Sequence, residues 1–144
     1  MPFRPIREVI QNQILLHAPP TMTVSEAAAL MKEKKVGALV VVNQKRLAGI
    51  FTERDAVFRV LADRIDPDRT RLAEVMTPDP RTISSDRPFG HALHMMYEGG
   101  FRHVPVVDHG KLVGIVSARD ALSSELAQFE SDVREREHIA EILG

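Results

Sequence analysis

Gly49-Ile50-Phe51-Thr52-Glu53-Arg54-Asp55 returns 65 residues later as Gly114-Ile115-Val116-Ser117-Ala118-Arg119-Asp120. The shared pattern is Gly, two apolar residues, a hydroxyl, one variable residue and Arg-Asp, which reads as the end of a strand entering a helix. Sliding the chain by the same 65 residues lays 24–61 on 89–126 without a gap and gives 12 identities in 38 positions. Chance gives about two or three, so the chain is a duplication. The likeness continues backward at a shift of 66, where Ile6-x-x-Val9-Ile10 meets Leu72-x-x-Val75-Met76. A one-residue length difference therefore lies between about Gln11 and Leu15.

Each half has the same order of elements. Val24, Ala27, Ala28 and Met31 sit at i, i+3, i+4 and i+7, and Phe89, Ala92, Leu93 and Met96 repeat that spacing, so both stretches predict an amphipathic helix. A hairpin follows. Leu39-Val40-Val41-Val42 and Val104-Pro105-Val106-Val107 read as buried strands, Asn43-Gln44-Lys45-Arg46 and Asp108-His109-Gly110-Lys111 as turns, and 47–52 and 112–117 as return strands. Further helices start near Glu53 and Ala118, and short strands around 15–17 and 81–83 precede the first helix of each half. The fold class is α/β (α+β), two β-α-β-β-α repeats with pseudo-two-fold symmetry and a C-terminal helical extension. The repeats fall at 6–63 and 71–127, the polar, proline-broken linker at 64–70 and the C-terminal helix at 128–144. A unit of about 60 residues is marginal alone. The two halves are expected to pack sheet to sheet around one core, with two related clefts at their junction.

Composition narrows the function. The chain has 144 residues, 44% hydrophobic and 27% charged, in keeping with a globular domain. Its 19 basic and 20 acidic residues give a net charge of −1, without the basic field that holds a nucleic-acid backbone. No apolar run approaches the roughly 20 residues of a membrane span. Met1-Pro2-Phe3-Arg4-Pro5 is not followed by the apolar segment of a secretory signal, so the expected location is cytoplasmic. The absence of Cys excludes thiolate metal sites and a cysteine nucleophile. No nucleophile elbow, metalloprotease or phosphate-loop motif is present, and the chain is not expected to be an enzyme.

The repeated junction has two readings. One is a helix cap, in which Thr52 or Ser117 accepts from the N–H of the acid three residues on, and the acid answers the first turn's positive end. A reciprocal capping box prefers the longer Glu or Gln, whereas both halves carry Asp. The other reading puts the carboxylate at the mouth of a cleft, where it accepts the hydroxyls of a ribose. Gly49 and Gly114, inside strands, either let a ring or another backbone approach or mark a bulge or tight packing.

The duplicated β-α-β-β-α order, the strand-to-helix junction, Phe101-Arg102-His103-Val104-Pro105-Val106-Val107-Asp108 and Val75-Met76-Thr77-Pro78 together resemble a tandem pair of CBS domains, a Bateman module, over about residues 6–126. The resemblance implies a regulatory module that binds adenosine-containing ligands (AMP, ADP, ATP or S-adenosylmethionine) in clefts between the repeats. It implies that Thr52 with Asp55, and Ser117 with Asp120, hold the two riboses. Thr82 matches a family threonine near the adenosine, and its counterpart is His17. Arg102 and His103 match positions that face phosphates, where the first half has Gly37 and Ala38, and Arg54 and Arg119 add charge. Arg102 and His103 are placed to serve either ligand, and the expectation is two clefts of unequal affinity.

Other features have plainer readings. His91, His94 and Glu98 share a helix face away from the apolar stripe and read as solvated surface, with no metal expected. Met95, Met96 and Tyr97 are expected in the core, and Lys32-Glu33-Lys34-Lys35 reads as a solvated helix end. Leu122, Leu126, Phe129, Val133, Ala140 and Leu143 keep a 3-4 spacing interrupted by Arg136, so the tail is expected to continue the last helix. That helix either covers the chain's own core or docks on a second copy. A homodimer is the expectation, signalling to an unidentified effector protein. The alternative is a structural, dimerising module with residual or empty nucleotide sites.

Overall fold

The computed structural model describes residues 4–143. Residues 1–3, on which part of the secretory-signal reading rests, and the Leu143 side chain lie outside the description. Its elements run α1 (Ile6–Val9), β1 (His17–Ala18), α2 (Val24–Lys34), β2 (Ala38–Asn43), β3 (Arg46–Thr52), α3 (Glu53–Asp55) with a π-helical continuation (Ala56–Leu61), α4 (Leu72–Val75), β4 (Thr77–Pro78), α5 (Phe89–Gly99), β5 (His103–Asp108), β6 (Lys111–Ser117) and α6 (Arg119–Leu143). The two amphipathic helices match their stripes: α2 buries Val24, Ala27 and Met31, and α5 buries Phe89, Ala92 and Met96. Thr23 caps α2 by accepting from the Glu26 N–H. The hairpins β2–β3 and β5–β6 are antiparallel, and each breaks register at the same place in the repeat, between Val41 and Val42 and between Val106 and Val107. That shared bulge is a second imprint of the duplication.

Three expectations are corrected. The strand expected at 81–83 is reduced to one parallel bridge, Ile83 to Val106. Tyr97 is 88% exposed, because it stands about 100° round α5 from Met96 and about 140° from Ala92, outside the buried stripe. The halves do not share one core. One apolar cluster contains Val24, Leu39, Val41, Phe51, Leu72 and Val75, and the other contains Ile6, Phe89, Val104, Val106 and Val116. Leu72 and Val75 of α4, which open the second repeat, lie in the core of the first; Ile6 of α1, which opens the first, lies in the core of the second.

The openings are thus exchanged. Backbone bonds secure both, Leu72 N–H to Met22 O at 2.8 Å and Ala73 N–H to Pro20 O at 3.1 Å on one side, Ile6 N–H to Arg87 O and Arg7 N–H to Ser85 O at 2.9 Å on the other. After α4, β4 pairs with β3 through Ile50 and Thr77, completing a four-stranded sheet in the order β1-β2-β3-β4. Among the described residues the second repeat has the two-stranded sheet β5-β6. At the position equivalent to Ile50, the Gln13 side-chain amide takes the strand's place, donating to Ile115 O at 2.8 Å and accepting from Ile115 N–H at 2.9 Å. The crossing explains both strand glycines. A Cβ on Gly49 would lie 2.6 Å from Met76 Sδ and 2.8 Å from Thr77 O, and one on Gly114 would lie 2.9 Å from Ile10 Cδ1. Close approach of the exchanged segment, rather than of a ligand, requires them.

Candidate functional site

The exchange leaves two clefts, each rimmed by one copy of the strand-to-helix junction. Cleft A, about 970 Å³, carries Ser117, Arg119 and Asp120. Cleft B, about 990 Å³, carries Thr52, Arg54 and Asp55. Both are large enough for a nucleotide-sized ligand. Arg102 and His103 line both clefts, as does Glu53. Eight of the ten residues singled out from the sequence are brought together in this way. The other two are not: His17 and Thr82 are exposed and belong to neither wall. His17 lies in β1 and pairs with Val40, and Thr82 precedes the isolated Ile83 bridge.

The two junctions differ in what their carboxylates do. In cleft B a complete capping box forms: Asp55 Oδ2 accepts from Thr52 N–H at 3.0 Å and Thr52 Oγ1 accepts from Asp55 N–H at 3.2 Å. The shorter acid closes the box after all. Its second oxygen, Oδ1, faces Arg59 Nε at 3.6 Å, and Arg59 in turn donates to the carbonyls of Val75 and Met76 at the end of α4. Asp55 is 8% exposed and committed on both oxygens. In cleft A, Asp120 Oδ2 accepts from Ser117 N–H at 2.8 Å and lies 3.4 Å from Ser117 Oγ. Among the described residues no donor reaches Asp120 Oδ1. The position equivalent to Arg59 is Ser124, which has no cation to offer. Asp55 is engaged through both oxygens, whereas among the described residues Asp120 is engaged through one.

The charged ends are also unequal. Lys32 and Lys35, at the C-terminal end of α2, line cleft A together with Arg102 and Arg119. Both are exposed at the end of α2, as the reading of a solvated helix end has it, and that same end borders the cleft. Cleft B receives Thr77, Asp79 and Arg81 from the segment after α4. The quoted run Val75-Met76-Thr77-Pro78 was the signal for it. Arg54 donates to Gly100 O at 3.1 Å and stacks 5.6 Å from the Phe58 ring centroid, so it is pinned at the rim of cleft B. Among the described residues no group of three His, Asp or Glu is placed to hold a metal ion, and His94 pairs with Glu98 at 3.0 Å.

His103 is the titratable group at the junction. Burial pushes its pKa below 6.5; Glu53 and Asp120 oppose that shift and Arg102 adds to it. Between this lowered value and 6.5 the unfolded chain holds a proton that the folded chain does not, so stability falls as pH drops below 6.5 and is fully present above it. Melting curves between pH 8 and pH 5 are expected to decline less in His103→Gln than in the parent. An identical decline would remove His103 as the cause.

The profile of the CBS domain family matches residues 6–62 and 72–126. A protein of Methanopyrus kandleri is 34% identical over 134 residues, 90% of this chain and 68% of its own length. A CBS domain-containing protein of Arabidopsis thaliana is 38% identical over 117 residues, 79% of this chain, which spans only 22% of that relative. Among solved structures, a protein with CBS domains from Burkholderia ambifaria superposes with a TM-score of 0.81 at 31% identity, covering 86% of this chain and 95% of the other. A CBS domain protein from Pyrobaculum aerophilum complexed with AMP superposes with a TM-score of 0.75 at 30% identity, covering 87% and 99%.

Proposed function

The chain belongs to the CBS domain family, and from that premise we propose that it is a non-catalytic regulatory module that binds an adenosine-containing nucleotide between its repeats. The candidates are AMP, ADP, ATP and S-adenosylmethionine. The observation that carries the reading is the half-engaged Asp120 carboxylate in cleft A, beside Ser117 and within one cavity with Arg102, Arg119, Lys32 and Lys35. A ribose offers two donors to such a carboxylate, and the cations suit the phosphates. The AMP complex of the Pyrobaculum relative supports the same class of ligand. Occupancy would shift the relative setting of the two repeats by no more than the ligand's differential affinity for the two settings, and an effector protein would read the result.

Cleft B supports a second reading of its own junction. Thr52 and Asp55 satisfy each other and Asp55 faces Arg59, so this copy serves the fold first and a ligand second. Self-association completes the proposal. Leu122 is 62% and Phe129 63% exposed on α6, so the tail does not cover this chain's own core. Val57 and Leu61, the counterparts of Leu122 and Leu126 in the repeat, are exposed as well. A homodimer would cover these patches.

A thermal-shift panel of AMP, ADP, ATP, S-adenosylmethionine, NAD and GTP tests the proposal. A ligand at 100 times its dissociation constant adds about 2.7 kcal/mol of stability. Adenosine compounds are expected to raise the melting temperature, and Asp120→Ala to remove the rise. No shift with any of them would leave the structural, dimerising module as the reading.

A further inference from the structure

We propose that Arg59 is a positioning residue for cleft B: one guanidinium ties Asp55 of the first repeat to the end of the exchanged helix α4, and so fixes the two walls of the cleft against each other. This rests on the nucleotide reading above and goes beyond it in naming the side chain that links a ligand in cleft B to the exchanged segment. Arg59 Nε lies 3.6 Å from Asp55 Oδ1, and Nη1 donates to the carbonyls of Val75 at 3.3 Å and Met76 at 3.1 Å. Those carbonyls end α4, and the last carbonyls of a helix have no partner within it. Arg59 supplies one from the π-helical continuation of α3, and wide turns of that kind recur at functional sites.

The chain that follows those carbonyls becomes the other wall. Thr77 pairs with Ile50, Asp79 N–H donates to Ala48 O at 3.2 Å, and Thr77, Asp79, Pro80 and Arg81 line cleft B with Thr52 and Asp55. A ligand in this cleft therefore touches two segments far apart in the chain, and Arg59 is bonded to the root of each. The second repeat has no such tie. Ser124 stands where Arg59 stands, and the strand edge at Ile115 is met by the Gln13 side chain instead of a strand that runs on into a wall. Cleft A is thus an internal control within the same molecule. Lysine is not a substitute at this position, because a single ammonium on a flexible stem does not reproduce the planar fork that reaches a carboxylate and two carbonyls at once.

Calorimetric titration with AMP and hydrogen exchange of the full chain test this in Arg59→Met and Arg59→Lys. Both variants are expected to lose about tenfold in affinity at one of two AMP sites and nothing at the other, the size usual for a group acting through one bonded network. Parental affinity in Arg59→Lys would mean that a charge near the ligand suffices, and overturns the positioning role. Lower melting with both affinities unchanged would make Arg59 a purely structural residue, and overturns it too. In the parent, AMP is expected to slow exchange at the Asp79 amide, and in both variants that slowing is expected to be lost. If neither variant folds, the parent decides alone: no slowing at Asp79 overturns the proposal. Binding that Asp120→Ala abolishes entirely is binding in cleft A only, which overturns the role of Arg59 and leaves the nucleotide reading standing. Failure of the parent to bind any adenine nucleotide overturns the nucleotide reading itself.

Discussion

Leu72→Ala is expected to cost about 2–5 kcal/mol, the range for truncating a buried leucine, and to loosen the first repeat although Leu72 belongs by sequence to the second. Leu72 is fully buried among Val24, Leu39, Val41 and Phe51, and α4 is anchored there by its bond to Met22 O. A domain of this size has about 5–15 kcal/mol to lose, so the effect is a large share of the whole. Native-state hydrogen exchange reads where it falls. Protection at Leu39, Val41 and Phe51 is expected to drop more than at Val104 and Val116. Ile6→Ala is expected to do the reverse, because Ile6 is fully buried in the cluster of Phe89, Val104 and Val116. Each substitution loosening its own repeat would contradict the exchange.

Asp120→Ala and Asp55→Ala are expected to separate along the same line. A hydrogen bond to a charged group is worth about 1.5–3 kcal/mol, so loss of the Asp120 carboxylate should weaken AMP binding by about 10- to 100-fold. Its structural cost is one capping bond, from Ser117 N–H. Asp55→Ala instead opens a reciprocal box and strips Arg59 of its acid, with an expected stability loss of about 1–2 kcal/mol and a smaller change in affinity. Calorimetry with AMP and denaturant unfolding of both variants compare the two losses. Unchanged AMP affinity in Asp120→Ala would end its role toward the ribose.

The matching motifs at Gly49 and Gly114, with the 65-residue repeat around them, already contained the duplication, the helix-and-hairpin order and the hydroxyl–acid pairs that rim both clefts. These were legible because periodicity, turn chemistry and capping act over a few residues, within reach of a one-dimensional reading. The same locality explains the errors. Tyr97 belongs to an apolar run but stands outside the buried stripe; Lys32 and Lys35 are the exposed helix end expected, and what the sequence left out is the cleft beside them. Thr82 matches the family threonine and His17 stands at the equivalent position, yet both are exposed and outside both walls.

By itself the sequence determined that there are two like units and two candidate sites, since a repeat needs only comparison of the chain with itself. Tertiary structure alone decided that each unit is closed by the other's opening helix, that Asp55 is engaged through both oxygens while among the described residues Asp120 is engaged through one, and that Arg102 and His103 stand where the two clefts meet. The physical reason is that these depend on contacts between distant parts of the chain. Their partners are chosen by burial and close approach in three dimensions, which a pattern along one strand or helix does not encode.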